Sequence, residues 1–360
     1  MGLVIGLGGG GNAGGGGSTG GGGSTGGVQS IIYCPYGQAN VSFTFNDKSI
    51  SELPEYDYIG FTWTSNLFEY CTNLTKIGGL NNLSTQYAGY MFYECNNLAE
   101  IPDFDTSNCE NFEYTFSGCI SLKNSPNIDT SKGKYMNEMY SRCENIESVT
   151  IDLTSAETIS NIFNGCSKLK TITILGGSNV TSAYNAFSSC ISLTQVPDFD
   201  MSRIQDAGDM LSWCNSLVNV GSLNLTSCTN FSGLLQYCQS LESVDYIDMT
   251  SAQGASYMFC GCSKLKSVNF EIDFTNINAN CEGIFENCYA LETVKIKNLG
   301  CNMNLSMSSK LSLDSMLFMF NNALTVTDGF TITLSYDAYH KLTEEQIAIA
   351  TQKGFNVASA

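Results

Sequence analysis

The chain has 360 residues, 43% hydrophobic and only 14% charged, and its 34 acidic against 16 basic side chains give a net charge of -18. That balance disfavours nucleic acid and anionic membranes as partners. No run approaches the roughly 18 apolar residues of a membrane span, and the opening Met1-Gly2-Leu3-Val4-Ile5-Gly6-Leu7 is too short, and lacks the basic lead, for a secretory signal.

Residues 1–27 are glycine punctuated by Ser-Thr pairs, with an apolar tip of Leu3, Val4, Ile5 and Leu7. Such a composition buries too little surface to offset its chain entropy, so it reads as a flexible tether. The tip reads as an anchor, inserted into a neighbouring protein of an assembly or packed with two other tails in a homo-trimer, since glycine lets backbones approach closely. Residues 28–66 alternate apolar with polar, as in Val41-Ser42-Phe43-Thr44-Phe45. They predict an N-terminal β cap, with Phe61, Trp63 and Phe68 supplying bulk over an otherwise open end.

From residue 67 to 326 one skeleton returns, apolar-aromatic-x-x-Cys-x-x-Leu-x-x-Ile/Val, as in Met91-Phe92-Tyr93-Glu94-Cys95-Asn96-Asn97-Leu98-Ala99-Glu100-Ile101. Its cysteine recurs at Cys71, Cys95, Cys119, Cys143, Cys166, Cys190, Cys214, Cys238, Cys262 and Cys288, mostly 24 residues apart. An eleventh copy, Leu317-Phe318-Met319-Phe320, places Asn321 where the cysteine is due, after the polar stretch from Asn302 to Ser309. A fixed period in the twenties predicts a solenoid in which each coil buries its apolar side only against its neighbours. After each leucine comes a short alternating strand, clearest in Leu169-Lys170-Thr171-Ile172-Thr173-Ile174; then a corner such as Phe104-Asp105-Thr106-Ser107; then the segment before the cysteine, read as one or two helical turns. The predicted fold is an α/β solenoid, a rod of about 11 coils with a parallel β-sheet on one face and short helical turns opposite. At about 4.8 Å per coil the rod is roughly 50 Å long. Residues 327–360 predict a strand-helix-strand cap, because Thr343 and Gln346 form a capping-box pattern and Gly354 is a helix stop.

Ten cysteines in one register predict a column of buried free thiols, with disulfides and metal as the alternatives. Cys34, Cys109, Cys228, Cys260, Cys281 and Cys301 lack a common register. Asp105, Asp129, Asp200 and Asp248 form a second ladder, which either binds calcium or, the favoured reading, accepts backbone N–H groups in its corners. The lone histidine, His340, has no nucleophile and acid beside it in any familiar pattern, so neither enzyme activity nor a cofactor is expected. Alternation sends Ser148, Thr150, Thr171, Thr173, Gln195, Asn219, Ser243, Asp245, Ser267, Asn269 and Thr293 to the outer side of the sheet. This hydroxyl-and-amide face is the candidate binding surface for a glycan or protein. Tyr70, Tyr93, Trp213 and Tyr237 place aromatics on another face.

The Phe-x-x-Cys-x-x-Leu-x-x-Ile/Val skeleton, with Asp-Thr-Ser between copies, resembles the BspA-like, treponemal-type leucine-rich repeats. That resemblance implies the solenoid fold and non-enzymatic attachment at bacterial or protozoan surfaces, or a structural role in phage. The closing stretch from Ala338 to Ala358 is similar to those ending repeat proteins of phages and prophages, which makes a virion-exterior appendage the first expectation. A bacterial cell-surface adhesin is the alternative, and a glycan-cleaving solenoid enzyme the third.

Overall fold

The structure, a computed structural model, describes residues 30–33, 48–59, 62–277, 280–327 and 329–360. The tether with its anchor residues Leu3, Val4, Ile5 and Leu7, and the stretch from Val41 to Phe45, lie outside the described residues.

The chain is a parallel-stranded solenoid of about 12 turns with little helix. Its strands are β1 (Ser30–Tyr33), β2 (Glu52–Ile59), β3 (Lys76–Asn81), β4 (Ser148–Leu153), β5 (Thr171–Gly176), β6 (Asn219–Leu223), β7 (Ser243–Ile247), β8 (Ser267–Asp273) and β9 (Thr293–Lys297). Register follows the sequence repeat: Ser148 lies opposite Thr171, Asn219 opposite Ser243, and Ser243 opposite Ser267. Glu52 lies opposite Lys76 in the same parallel manner, so stacking begins within the segment 28–66.

The strands do not form one sheet. β1–β3, β4–β5 and β6–β9 are separate, and among the described residues the coils that follow Leu98, Leu122 and Leu193 have no strand. Each of these coils carries a proline four residues after its leucine: Pro102, Pro126 and Pro197. Proline has no N–H to give to a ladder. The repeat leucine still packs inward there, but the segment after it leaves the sheet.

What runs unbroken is the opposite wall. The segment expected to be a short helix is instead a run of tight turns in every coil up to Cys288. Two residues per coil, five before and one before the cysteine, take positive φ: Tyr90 and Glu94, Tyr114 and Gly118, Glu138 and Arg142, Asn161 and Gly165. A helix cannot propagate through left-handed residues. The N–H groups it would need also point along the rod: those of Asn66, Phe68 and Tyr70 donate to the carbonyls of Gly89, Met91 and Tyr93 in the next coil at 3.1, 2.8 and 2.7 Å. Beside them a row of bridges runs from Trp63 through Tyr87, Asn111, Tyr135 and onward to Gly254.

Two columns fill the core behind this wall. Phe68, Phe92, Phe116, Tyr140, Phe163 and Phe187 stack with centroids 5.1 to 6.0 Å apart. Next to them stand the repeat cysteines, all buried and none in a disulfide. Each thiol from Cys95 to Cys288 donates to a carbonyl of the coil before it, as Cys95 Sγ does to Phe68 O at 3.1 Å and Cys119 Sγ to Phe92 O at 3.2 Å. The position therefore calls for a side chain that is small, apolar and still able to donate.

At the far end, Leu317 to Phe320 are not an eleventh coil. They belong to a true helix, α1 (Leu313–Asn322), N-capped by Ser312. The helix lies along the open edge of β9: Ser315 Oγ accepts the Val294 N–H at 3.0 Å, and Ser312 N–H donates to Glu292 O at 2.8 Å. Covering an edge with a helix stops further pairing. A last parallel sheet of β10 (Met303–Leu305), β11 (Thr331–Leu334) and β12 (Asn356–Ser359) follows, with α2 (Tyr336–Tyr339) and α3 (Glu344–Thr351) between its strands. α3 starts at the Thr343–Gln346 capping box, and Gly354 takes φ +92° just beyond it.

Candidate functional site

The sheet face is built from two blocks. In the first, Ser148 pairs with Thr171 and Thr150 with Thr173. In the second, Asn219, Ser243, Ser267 and Thr293 form one row across β6–β9. The alternation that puts them outside is the one that buries Val149, Val220, Val244, Val268 and Val294. Asn219 Nδ2 donates to Ser243 Oγ at 2.6 Å and lies 3.4 Å from Asp245 Oδ1, which Asn269 Nδ2 also approaches to 3.4 Å. Gln195 sits in the proline coil between the blocks, so the structure does not join it to either row. A cleft of about 610 Å³ opens there, between residues 194–201 and 218–224.

The aspartate ladder is a set of corner turns. Asp105, Asp129, Asp200 and Asp248 each accept the backbone N–H two residues on, at 2.9 to 3.1 Å, and Asp152 and Asp273 do the same. Hydrogen bonds from Ser84 and then Ser107 hold Asp105 below the usual carboxylate range, and Ser131 does so for Asp129. The carboxylates are thus occupied in ordering the chain. Among the described residues, no group of three or more His, Cys, Asp or Glu is placed to hold a metal ion.

Two cysteines expected to lack register do share one. Cys109 and Cys228 each stand fourteen residues after a repeat cysteine, and each thiol donates to the carbonyl two residues on, at 3.2 Å. Cys281 and Cys301 form a disulfide. His340 is exposed against Tyr336, with Nδ1 2.9 Å from Tyr336 O. No helix among the described residues is long and apolar enough to cross a membrane.

The turn wall carries the aromatics. Trp213 and Tyr237 stack at 4.3 Å, and Trp63 stacks on Tyr87 at 4.1 Å. Tyr70 and Tyr93 meet edge to face at 5.2 Å, within a larger cluster that includes Tyr90 and Tyr114. The two added tyrosines were legible in principle, since they hold the position five before the cysteine, but that position looked like part of a helix.

Residues 62–194 match the BspA type leucine rich repeat region, in six copies. Residues 181–299 match a family described as Mycoplasma protein of unknown function, DUF285. Among solved structures, a leucine rich cell surface protein from Faecalibacterium prausnitzii A2-165 is similar at 18% identity over 67% of this chain and 76% of that one, with a TM-score of 0.32. A chain of the TLR13-ssRNA13 complex is similar at 12% identity over 86% of this chain and 50% of that one, with a TM-score of 0.23. No curated protein matches the chain.

Proposed function

We propose that the chain is a non-enzymatic attachment protein displayed on an exterior surface, where the row Asn219, Ser243, Ser267 and Thr293 and the block Ser148, Thr150, Thr171 and Thr173 contact a host glycan or protein. The observation that carries this reading is the in-register row of hydroxyls and amides over four consecutive strands, exposed at Asn219 and Thr293 and half-buried at Ser243 and Ser267. Such rows offer repeated donors and acceptors at strand spacing, the arrangement that suits a polymer with a repeating pattern of hydroxyls. Residues 1–27 are assigned the joining role, with Leu3, Val4, Ile5 and Leu7 inserted into other surface or virion proteins. The BspA-type repeats favour a bacterial cell surface as the place of display; the virion exterior is the second reading, and it rests on the closing stretch of the chain.

The test is retention of the labelled protein on intact epithelial cells and on intact bacterial cells, each untreated, periodate-treated and protease-treated, for the native chain and for Ser243→Arg/Ser267→Arg/Thr293→Arg. The native chain should be retained, one treatment should abolish retention and so name the ligand class, and the variant should lose most of it with unchanged circular dichroism. A correctly folded variant retained as well as the native chain would remove the sheet face from the account.

A further inference from the structure

The turn wall has a requirement of its own. Positions five and one before each cysteine take positive φ, and the residues suited to it are glycine and asparagine, which fill these places in the coils around Asn161, Gly165 and Asn185. In the first three coils the same places hold Tyr70 at φ 57°, Tyr90 at 59° and Tyr114 at 57°, and later coils hold Trp213, Tyr237 and Tyr257 there. A bulky aromatic in the left-handed region is strained by about 1 kcal/mol or more. The fold does not ask for it, since the coils from Glu138 to Ser189 do without.

These tyrosines converge. Tyr90 stacks face to face on Tyr114, centroids 4.5 Å apart and 10° from parallel. Tyr93 stands edge-on to Tyr70, Tyr90 and Tyr114 at 5.2, 5.5 and 5.9 Å. Tyr70 is 51% exposed, and the other three are half-buried. Around the rings stand Glu69, Glu94, Glu113 and Glu138; desolvation first, and then the negative field of Glu113, Glu138 and Glu69, raises the phenol pKa of Tyr90, desolvation and then Tyr70 and Glu94 that of Tyr93, and at Tyr114 the hydrogen bond to Glu138 at 2.8 Å is the leading cause. Among the described residues two cations stand beside this cluster: Arg142, which reaches Glu94 at 2.7 Å across the bare surface of Gly118, and Lys48, whose ammonium donates to Glu69 O beside Tyr70. Four carboxylates thus face two cations, beside an aromatic surface.

We propose that this platform, separate from the sheet face, docks an arginine-bearing segment of a partner protein. Charge complementarity selects a cation, and the aromatic faces select a planar one: a guanidinium stacks on tyrosine while its fork reaches a carboxylate, as Arg142 already does at the rim, whereas an ammonium is a compact, strongly hydrated point charge. Lysine recognition would use the same rings differently and is an outcome of the test.

The test uses calorimetric titration of the intact chain with an unstructured peptide of alternating glycine and arginine, and with its lysine counterpart. The variant Tyr70→Asn/Tyr90→Asn/Tyr114→Asn leaves the net charge unchanged and installs a residue that favours the observed backbone, so its melting temperature should hold or rise. Arginine peptide should bind the native chain about 10-fold more tightly than lysine peptide, and the variant should lose that ~10-fold advantage. The pair Trp213→Asn/Tyr237→Asn, the same change in later coils, should bind as the native chain does. Should the triple variant fail to fold, Tyr70→Asn alone, at the most exposed ring, should weaken binding about 3-fold. Equal affinity for the two peptides, undiminished arginine binding by the folded variant, or an equal loss in the Trp213/Tyr237 control would each overturn the proposal.

Discussion

Cysteine, rather than alanine or serine, holds each coil together because the site sets two demands that pull apart. The pocket is apolar, and it presents a carbonyl of the preceding coil at 3.0 to 3.2 Å from sulfur, as at Cys262 and Cys190. A thiol is a small hydrophobe with a weak donor, so it meets both. Burial pushes the thiol pKa up throughout the column: to about 12 at Cys238, and strongly at Cys95, Cys119, Cys143, Cys166, Cys190, Cys214, Cys262 and Cys288. The folded state keeps these protons where the unfolded chain, titrating near ~8.5, releases them. Their stabilisation is therefore fully present below about pH 8.5 and is lost as pH rises towards the folded values. Each thiol contributes ~1.4 kcal/mol per pH unit to that loss, so nine unfolding together give on the order of 12 kcal/mol per unit. Denaturant unfolding followed by circular dichroism should show stability flat from pH 7 to 8.5 and collapsing between about pH 9 and 10. Stability unchanged up to pH 10 would show that the thiols are not buried as described.

Between coils, Pro102, Pro126 and Pro197 mark the three strandless coils, although Pro54 lies within the paired strand β2, and the β6 edge beside Pro197 borders the cleft at 194–201 and 218–224. Pro197→Thr restores the missing N–H and a residue that fits a pleated surface. It should close the gap between β5 and β6, and hydrogen exchange should then show the amides of residues 195–197, Asn219 and Gly221 slowed relative to the native chain. Unchanged exchange there would mean that something other than proline splits the sheet. At this scale the repeat, its period and its buried positions were legible, because apolar spacing is set by packing between neighbours. The turn wall was not. An aromatic-rich segment with a serine or aspartate before it reads as a helix, and only the pairing of left-handed positions with hydrogen bonds between coils, a non-local fact, makes it a run of turns. The helix at Leu313–Asn322 was misread as an eleventh repeat: its Leu-Phe-Met-Phe copies the repeat pattern, while its duty is to cover the edge of β9.

Over the whole molecule, the sheet is the interrupted face and the turn wall the continuous one. A rod built this way tolerates variation on its surfaces, because stability is a sum over neighbouring coils and each closes through the same few contacts. That tolerance allows hydroxyl rows on one face and a strained tyrosine cluster on the other. The hydroxyl rows could be read from the strand alternation, whereas the aromatics of the turn wall were hidden by the helical reading. The claim beneath all of this is that one unbroken column of reduced, buried thiols runs the length of the repeats. Mass spectrometry after alkylation without reductant tests it most directly. The native protein should leave the ten repeat cysteines from Cys71 to Cys288 unmodified, and the denatured protein should add one group at each of the ten. Prompt labelling of these cysteines in the native state, or fewer than ten of them labelled after denaturation, would contradict the column.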